Sequence, residues 1–254
     1  MPGLYIIAGC NGAGKTTASI TILPEILKCK EFVNADSIAA GLSPFNVESV
    51  AFEAGRIMLQ RIPRLMEDKE DLAFETTLST RSYVSLIQKA RKNGYKITLL
   101  YFWLKSPEIA KQRVAKRVSQ GGHNIPDEVI ERRYYRGISN LLNLYIPIVD
   151  KWTVFDNMNV ESNIIAKGVM NDDKMILNTE LWNTFLNQQN VMEDKTMYLD
   201  EFSEKLLYGL RKAMRKLVET SAKMDEELVI GDKDGTVKSV PAKDLLHIVQ
   251  NYPK

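Results

Sequence analysis

Cysteine, histidine, net charge and long apolar runs are all in short supply in this 254-residue sequence, and each shortage removes a class of explanation. Two cysteines, Cys10 and Cys29, cannot build a disulfide framework and do not fall at metal-ligand spacing. Both read as reduced and incidental. With 34 Lys and Arg against 32 Asp and Glu, a net charge of +2 offers no bulk field to gather nucleic acid or an anionic membrane. Any anion binding has to be local. Met1-Pro2-Gly3 brings no basic n-region, the apolar run behind it is too short for a signal h-region, and no stretch approaches a membrane span. The expectation is a soluble, cytoplasmic chain with neither a membrane nor a nucleic-acid partner. What remains is ordinary globular composition, 44% hydrophobic and 26% charged, and enough length for one sizeable α/β domain plus an appendage.

The chain is organised around Gly9-Cys10-Asn11-Gly12-Ala13-Gly14-Lys15-Thr16-Thr17, which fits G-x-x-x-x-G-K-[ST] at every fixed position. An apolar run, Leu4 to Ala8, precedes it and a helical segment over 17–27 follows. Strand, glycine-rich loop and helix thus stand in the order a phosphate-binding loop needs. A loop without bulky side chains can curl its N–H groups around a phosphate, and the helix start adds a positive dipole end. Lys15 is then placed to reach the β- and γ-phosphates of ATP, and Thr16 to put its hydroxyl on Mg²⁺.

Further strands read as 31–33, 72–74, 97–104 and 152–155, each running into polar residues. Ligands gather at the carboxyl ends of parallel strands, so those residues are the candidates for chemistry. Asp36 follows the second strand and suits either an acceptor hydroxyl or the N-cap of a helix over 37–40, or both. Glu75 ends the third, where it can orient Mg²⁺-bound water, hold a substrate hydroxyl or simply face solvent; Thr76 and Thr77 add hydroxyls beside it. The strand over 97–104 is apolar almost throughout, as expected of a parallel strand covered on both faces. Helices are expected over 46–66 and 82–92. Another opens at Ser106-Pro107 and carries Lys111, Arg113, Lys116 and Arg117; the next carries Arg132, Arg133 and Arg136. Between them lies a glycine turn over 120–126, so the pair reads as a mobile phosphate lid or as two solvated faces. His123 in that turn either contacts substrate or caps the turn. Asp156-Asn157 ends the fifth strand where a loop can approach the nucleotide base, a short hairpin is expected within 164–176, and a closing helix over 181–186.

From about Met192 the character changes. Leu199, Phe202, Leu206, Leu210, Ala213 and Leu217 mark one face of a long amphipathic helix. Residues 227–230 and 236–240 flank Asp232-Lys233-Asp234-Gly235 as a hairpin turn, with a last short helix over 241–249. A unit this small buries little of its own apolar surface, so its stripe should pack on the main domain or on a second copy. It reads as a regulatory element or as a helix that completes the fold. The domain expectation is 1–190 for a P-loop kinase domain and 191–254 for the appendage.

The ordered set Gly9 to Thr17, Asn34-Ala35-Asp36, Phe74-Glu75-Thr76-Thr77-Leu78, Arg117-Val118, Gly121 to Pro126, Arg133-Tyr134 and Asp156-Asn157 resembles the zeta toxin family of P-loop kinases, in its compact branch, over roughly residues 3 to 190. The resemblance implies a three-layer P-loop NTPase fold: α/β, a mostly parallel sheet of about five strands, a helical lid and a small helix–hairpin appendage. It implies phosphoryl transfer from ATP to a sugar hydroxyl of a UDP-activated amino sugar such as UDP-N-acetylglucosamine, by the toxin of a toxin–antitoxin system. Matching positions make Asp36 the catalytic base, Lys15 and Thr16 the phosphate and Mg²⁺ ligands, Glu75 a substrate or metal-shell contact, and Arg117 and Arg133 lid charges. Thr76 and Thr77 stand where the better known branch favours a glycine, and the lid is a short Gly-Gly-His kind. The tail is similar to the small partner proteins of such toxins, which implies either an antitoxin partner or self-inhibition.

An ABC transporter ATPase is disfavoured because no Leu-Ser-Gly-Gly-Gln signature occurs, and a GTPase because no Asn-Lys-x-Asp motif does. Two alternatives stay open: a kinase of another nucleotide or polynucleotide, and a nucleotide-dependent binding module without turnover.

Overall fold

The computed structural model describes residues 1–158, 163–170, 174–189, 201–231 and 237–251. The chain divides into two compact units, Met1–Glu193 and Asp194–Lys254. In order, the first unit runs β1 (Gly3–Ala8), α1 (Lys15–Thr21), β2 (Glu31–Val33), α2 (Ala35–Leu42), α3 (Ala51–Glu67), β3 (Leu72–Thr76), α4 (Tyr83–Lys92), β4 (Lys96–Trp103), α5 (Pro107–Ser119), α6 (Asp127–Asn140), β5 (Lys151–Asp156), β6 (Asn163–Val169), β7 (Met175–Ile176) and α7 (Thr179–Asn187).

The sheet order is β2-β3-β1-β4-β5-β6-β7. The first five strands are parallel and the last two antiparallel. The chain adds β2 and β3 on one side of β1, then crosses over to add β4 and β5 on the other. β1 is therefore the switch point, and the crevice opens beyond its carboxyl end. The expected hairpin within 164–176 is present as β6 and β7, but it joins the main sheet and widens it to seven strands. Without β6, the outer edge of β5 would expose a row of unpaired peptide groups.

Local departures from the expected elements have plain causes. α1 gives way after Thr21 to a wider π turn over Ile22–Ile26 that contains Pro24, which has no N–H to donate. The helix expected from residue 46 begins as a tight 3₁₀ turn, Val47–Val50, before α3. α6 runs on through a π turn, Leu141–Tyr145. At the far side α7 closes the core with Trp182, stacked on Trp152 at 5.9 Å and on Phe185 at 5.4 Å. Burying side chains of this size contributes about 1.5–3 kcal/mol each.

The second unit contains α8 (Glu201–Lys223), an antiparallel pair β8 (Glu227–Gly231) and β9 (Val237–Pro241), a 3₁₀ turn Ala242–Leu245, and α9 (Leu246–Val249). Its small core gathers Val218, Leu245 and Val249. The expected stripe is shifted toward the end of α8: Leu217 is half exposed, while among its described side chains Val218, Ser221 and Ala222 are buried. Leu199 and the turn over 232–235 lie outside the described residues, as do the side chains of Phe202, Leu206, Leu210 and Ala213. Among the described residues no helix is long and apolar enough to cross a membrane.

Candidate active site

The loop after β1 is shaped by glycine where nothing else fits. Gly9 has φ 141°, and a Cβ there would lie 2.2 Å from the Phe102 carbonyl oxygen. Gly14, at φ 83°, is the N-cap of α1, and a Cβ there would meet Asn157 Nδ2 at 2.6 Å. With no side-chain cap, the first amides of α1 are left to whatever enters the loop. Asn157, expected near a nucleotide base, props the loop, its amide donating to the Ala13 carbonyl at 2.6 Å. Arg113 secures that prop, donating to the Asn157 and Met158 carbonyls at 3.0 and 2.7 Å. Cys10 is buried in the loop; burial pushes its thiol up to about 11, only partly offset by the charge of Lys15.

At the carboxyl end of β3, Glu75 joins three donors. Its Oε2 accepts from Thr16 Oγ1 at 2.7 Å and from Asn34 Nδ2 at 2.8 Å. Its Oε1 lies 3.5 Å from Lys15 Nζ, with both side chains less than a tenth exposed. Lys15 also donates to the Cys10 carbonyl at 3.0 Å. Glu75 is therefore not a strand-end acid in solvent. Asn34, not Asp36, caps α2, its Oδ1 accepting from the Ser37 amide at 3.1 Å. That leaves the Asp36 carboxylate uncommitted to the cap, in the first turn of α2 and open to solvent.

Asp36 lies on the wall of a cavity of about 220 Å³ together with Asn11, Lys15, Glu75 and Arg133. Thr76 and Thr77 line the same space with Ser79, Thr80 and Tyr83. Arg133 reaches in from α6 and donates to Asn11 Oδ1 at 3.2 Å. Burial lowers its pKa from the usual arginine value while Asp36 acts to raise it, and the guanidinium stays charged at neutral pH. Arg117 is elsewhere. It donates to the His123 carbonyl at 3.0 Å and lines a second cavity of about 590 Å³ with His123 and Phe45. Asp36 borders both cavities. His123 faces Glu48, with Nδ1 3.9 Å from Oε1. Thr17 follows on α1, exposed to solvent.

The turn after β3 has no glycine, yet Leu78 sits in the left-handed region at φ 55° and is fully buried. That conformation costs a non-glycine residue about 1–2 kcal/mol. Three contacts from outside the turn hold it. Asn140 Nδ2 donates to the Leu78 carbonyl at 2.6 Å, and Tyr145 Oη donates to the Thr80 carbonyl at 2.5 Å. Gly137 lies so near that a Cβ would come within 2.6 Å of the Thr77 carbonyl oxygen. Within the turn, the Leu78 amide donates to Thr76 Oγ1 at 3.0 Å.

Sequence reasoning passed over Arg113, Ser79, Thr80 and Tyr83 as site residues. Only Arg113 left a trace, as one of several basic positions on α5; the others depend on how the turn folds back. Thr16 and Glu75 offer adjacent hard oxygens of the kind Mg²⁺ accepts when substrate phosphates supply further ligands. Among the described residues no group of three or more His, Cys, Asp or Glu could hold a metal alone.

Comparison with known proteins follows this geometry. A family model described as Zeta toxin matches residues 1–162, and one described as Domain of unknown function (DUF8506) matches residues 194–251. An uncharacterised protein of Haemophilus influenzae is 28% identical over 126 residues, covering 50% of this chain and 88% of that one. The crystal structure of AvrRxo1-ORF1:AvrRxo1-ORF2 with sulphate ions aligns with a TM-score of 0.62 at 20% identity over 74% of this chain. This chain spans 65% of that protein's length. A structure from the PezAT chromosomal toxin–antitoxin system of Streptococcus pneumoniae aligns with a TM-score of 0.56 at 16% identity, over 86% of this chain and 88% of that one. At these identities the two structures speak for the fold, a kinase-like P-loop α/β architecture. The family model spans well over half of the residues and takes in the phosphate loop, Asp36, Glu75, Arg117 and Arg133, so the chain belongs to the zeta toxin family.

Proposed function

We propose that this chain is an ATP-dependent kinase that phosphorylates a sugar hydroxyl of a UDP-activated amino sugar, of the UDP-N-acetylglucosamine kind, and acts as the toxin of a toxin–antitoxin pair. The observation that carries the reading is the shared cavity: Lys15 from the phosphate loop, Arg133 from α6 and Asp36 from α2 border one space of about 220 Å³. A binding module without turnover would need the cradle but no carboxylate beside it. ATP as donor is supported by the fold-level likeness to the AvrRxo1-ORF1:-ORF2 complex solved with ATP, TM-score 0.60. An antitoxin partner is supported by family membership and by the toxin–antitoxin origin of the PezAT structure.

In this reading Asp36 orients the acceptor hydroxyl and takes its proton. Lys15 and the free amides of α1 hold the phosphates, and Arg133 meets the negative charge that grows between donor and acceptor. Thr16 and Glu75 would hold Mg²⁺, whose bound form screens charge between the phosphate oxygens. The second cavity, reached past the same Asp36, gives the remainder of a large acceptor somewhere to lie.

The test is incubation with ATP, Mg²⁺ and a panel of UDP-sugars, with mass detection of one added phosphate. No added mass on any of them removes the proposed acceptor class. Asp36→Asn should lower turnover by about a hundredfold or more with ATP affinity little changed; equal turnover would exclude Asp36 as the base.

A further inference from the structure

One face of α6 touches both sides of the cavity. Arg133, Gly137 and Asn140 stand at i, i+4 and i+7, so they share a stripe along the helix. Arg133 reaches the phosphate loop through Asn11. Gly137 and Asn140 instead meet the turn over residues 77–80, which brings Thr77, Ser79 and Thr80 to the wall of the cavity that Asn11 and Lys15 of the phosphate loop also line. Local bonds shape that turn, the Leu78 amide to Thr76 Oγ1 and Thr77 Oγ1 with Ser79 Oγ, but it has no glycine to take the positive φ, which falls on a buried leucine. It is held by α6 and by Tyr145 in the π turn that continues α6.

We propose that Gly137 and Asn140 are positioning residues: they fix the turn over 77–80 in the form that receives the acceptor, while the same helix face sets Arg133 at the phosphate loop. The proposal rests on the kinase reading above and extends it. α6 ties acceptor recognition to placement of the transferring group. Neither residue touches substrate. Asn140 acts through the Leu78 carbonyl, and Gly137 acts by allowing the close approach that lets Asn140 reach it.

Asn140→Ala in the full chain leaves the Leu78 carbonyl without its donor and frees the turn. With ATP and UDP-N-acetylglucosamine as the probe acceptor, it should raise the acceptor KM about tenfold, with the KM for ATP changed less than about twofold. Gly137→Ala, which forces α6 away from the turn, should raise the acceptor KM and also lower kcat, because Arg133 moves with the helix. An unchanged acceptor KM in Asn140→Ala, or an equal rise in both KM values, overturns the proposal. Hydrogen–deuterium exchange judges it without turnover: the amides of residues 77–82 should exchange faster in Asn140→Ala while those of residues 9–16 keep the wild-type rate. Unchanged exchange in 77–82 overturns it even if the wild-type chain phosphorylates some other alcohol. If the wild-type chain phosphorylates nothing while the exchange rises as expected, the kinase reading falls and the hold of α6 on the turn stands.

Discussion

Two loops leave neighbouring parallel strands and close on one cavity, yet they reach their unusual backbone angles by different means. Residues 9–14, after β1, place glycine at the backbone angles and close approaches the loop demands. Residues 77–80, after β3, contain no glycine and hold Leu78 at φ 55° through contacts with residues as far as 65 positions away. The first loop meets its unusual backbone angles with its own glycines, and Asn157 props it at the Ala13 carbonyl. The second borrows its hold from a helix that the chain supplies much later. A phosphate cradle must accept the same group every time and can be locally fixed, whereas a turn set by tertiary contacts can change its reading through distant substitutions.

The largest expected effect is Gly9→Ala, whose Cβ would press on the Phe102 carbonyl. It should cost more than about 3 kcal/mol of stability, read as a lower urea midpoint, and abolish ATP binding. An unchanged midpoint would erase the contrast by showing that the first loop does not depend on its glycine. Next comes the pair of arginines. Arg133→Ala should lower kcat/KM about a hundredfold, or about 2.7 kcal/mol, whereas Arg117→Ala, whose guanidinium meets the His123 carbonyl in the second cavity, should lower it less than tenfold, or about 1.4 kcal/mol. Equal losses would make the glycine turn over 120–126 as much a part of the transfer step as α6.

A finer comparison replaces Leu78 by Ala and by Gly. Both remove a buried side chain, but Gly should be the more stable of the two by about 1 kcal/mol, since only Gly takes a positive φ without strain. If Ala is better, the turn is not strained. The smallest effect is at Cys10. Its thiol is raised to about 11 in the fold, so its contribution to stability is complete below the ordinary thiol pKa and is lost as pH climbs toward 11. Thermal midpoints measured from pH 8 to 10.5 should fall less steeply in Cys10→Ala than in the wild-type chain.

The same contrast explains what could be read from the sequence. The phosphate loop, the five parallel strands and the polar residues ending β2 and β3 follow from periodicity and from residues whose chemistry is local, whereas the placing of β3 between β2 and β1 does not. Sequence leaves Asp36 open between an acceptor contact and the N-cap of α2, and only the fold shows that the oxygen facing the Ser37 amide belongs to Asn34. The separation of Arg117 from Arg133 was invisible because helical spacing says nothing of where two helices point. The positive φ in the turn over 77–80 carries no local signature: Leu78 is an ordinary apolar residue until Asn140 and Tyr145 close on the turn. In α8 the shift from Leu217 to Val218 is a single step around the helix, decided by packing against α9 and the neighbouring 3₁₀ turn rather than by pattern.

Glu75 also makes the cradle a place of exchange. Because its carboxylate already answers Lys15, Thr16 and Asn34, an anion bound at the first amides of α1 competes with a resident for the lysine and the hydroxyl. Chloride or acetate would swap one negative charge for another and leave the balance where it was. A polyphosphate travelling with its own divalent ion would satisfy the lysine and the hydroxyl and still leave the carboxylate a cation to hold.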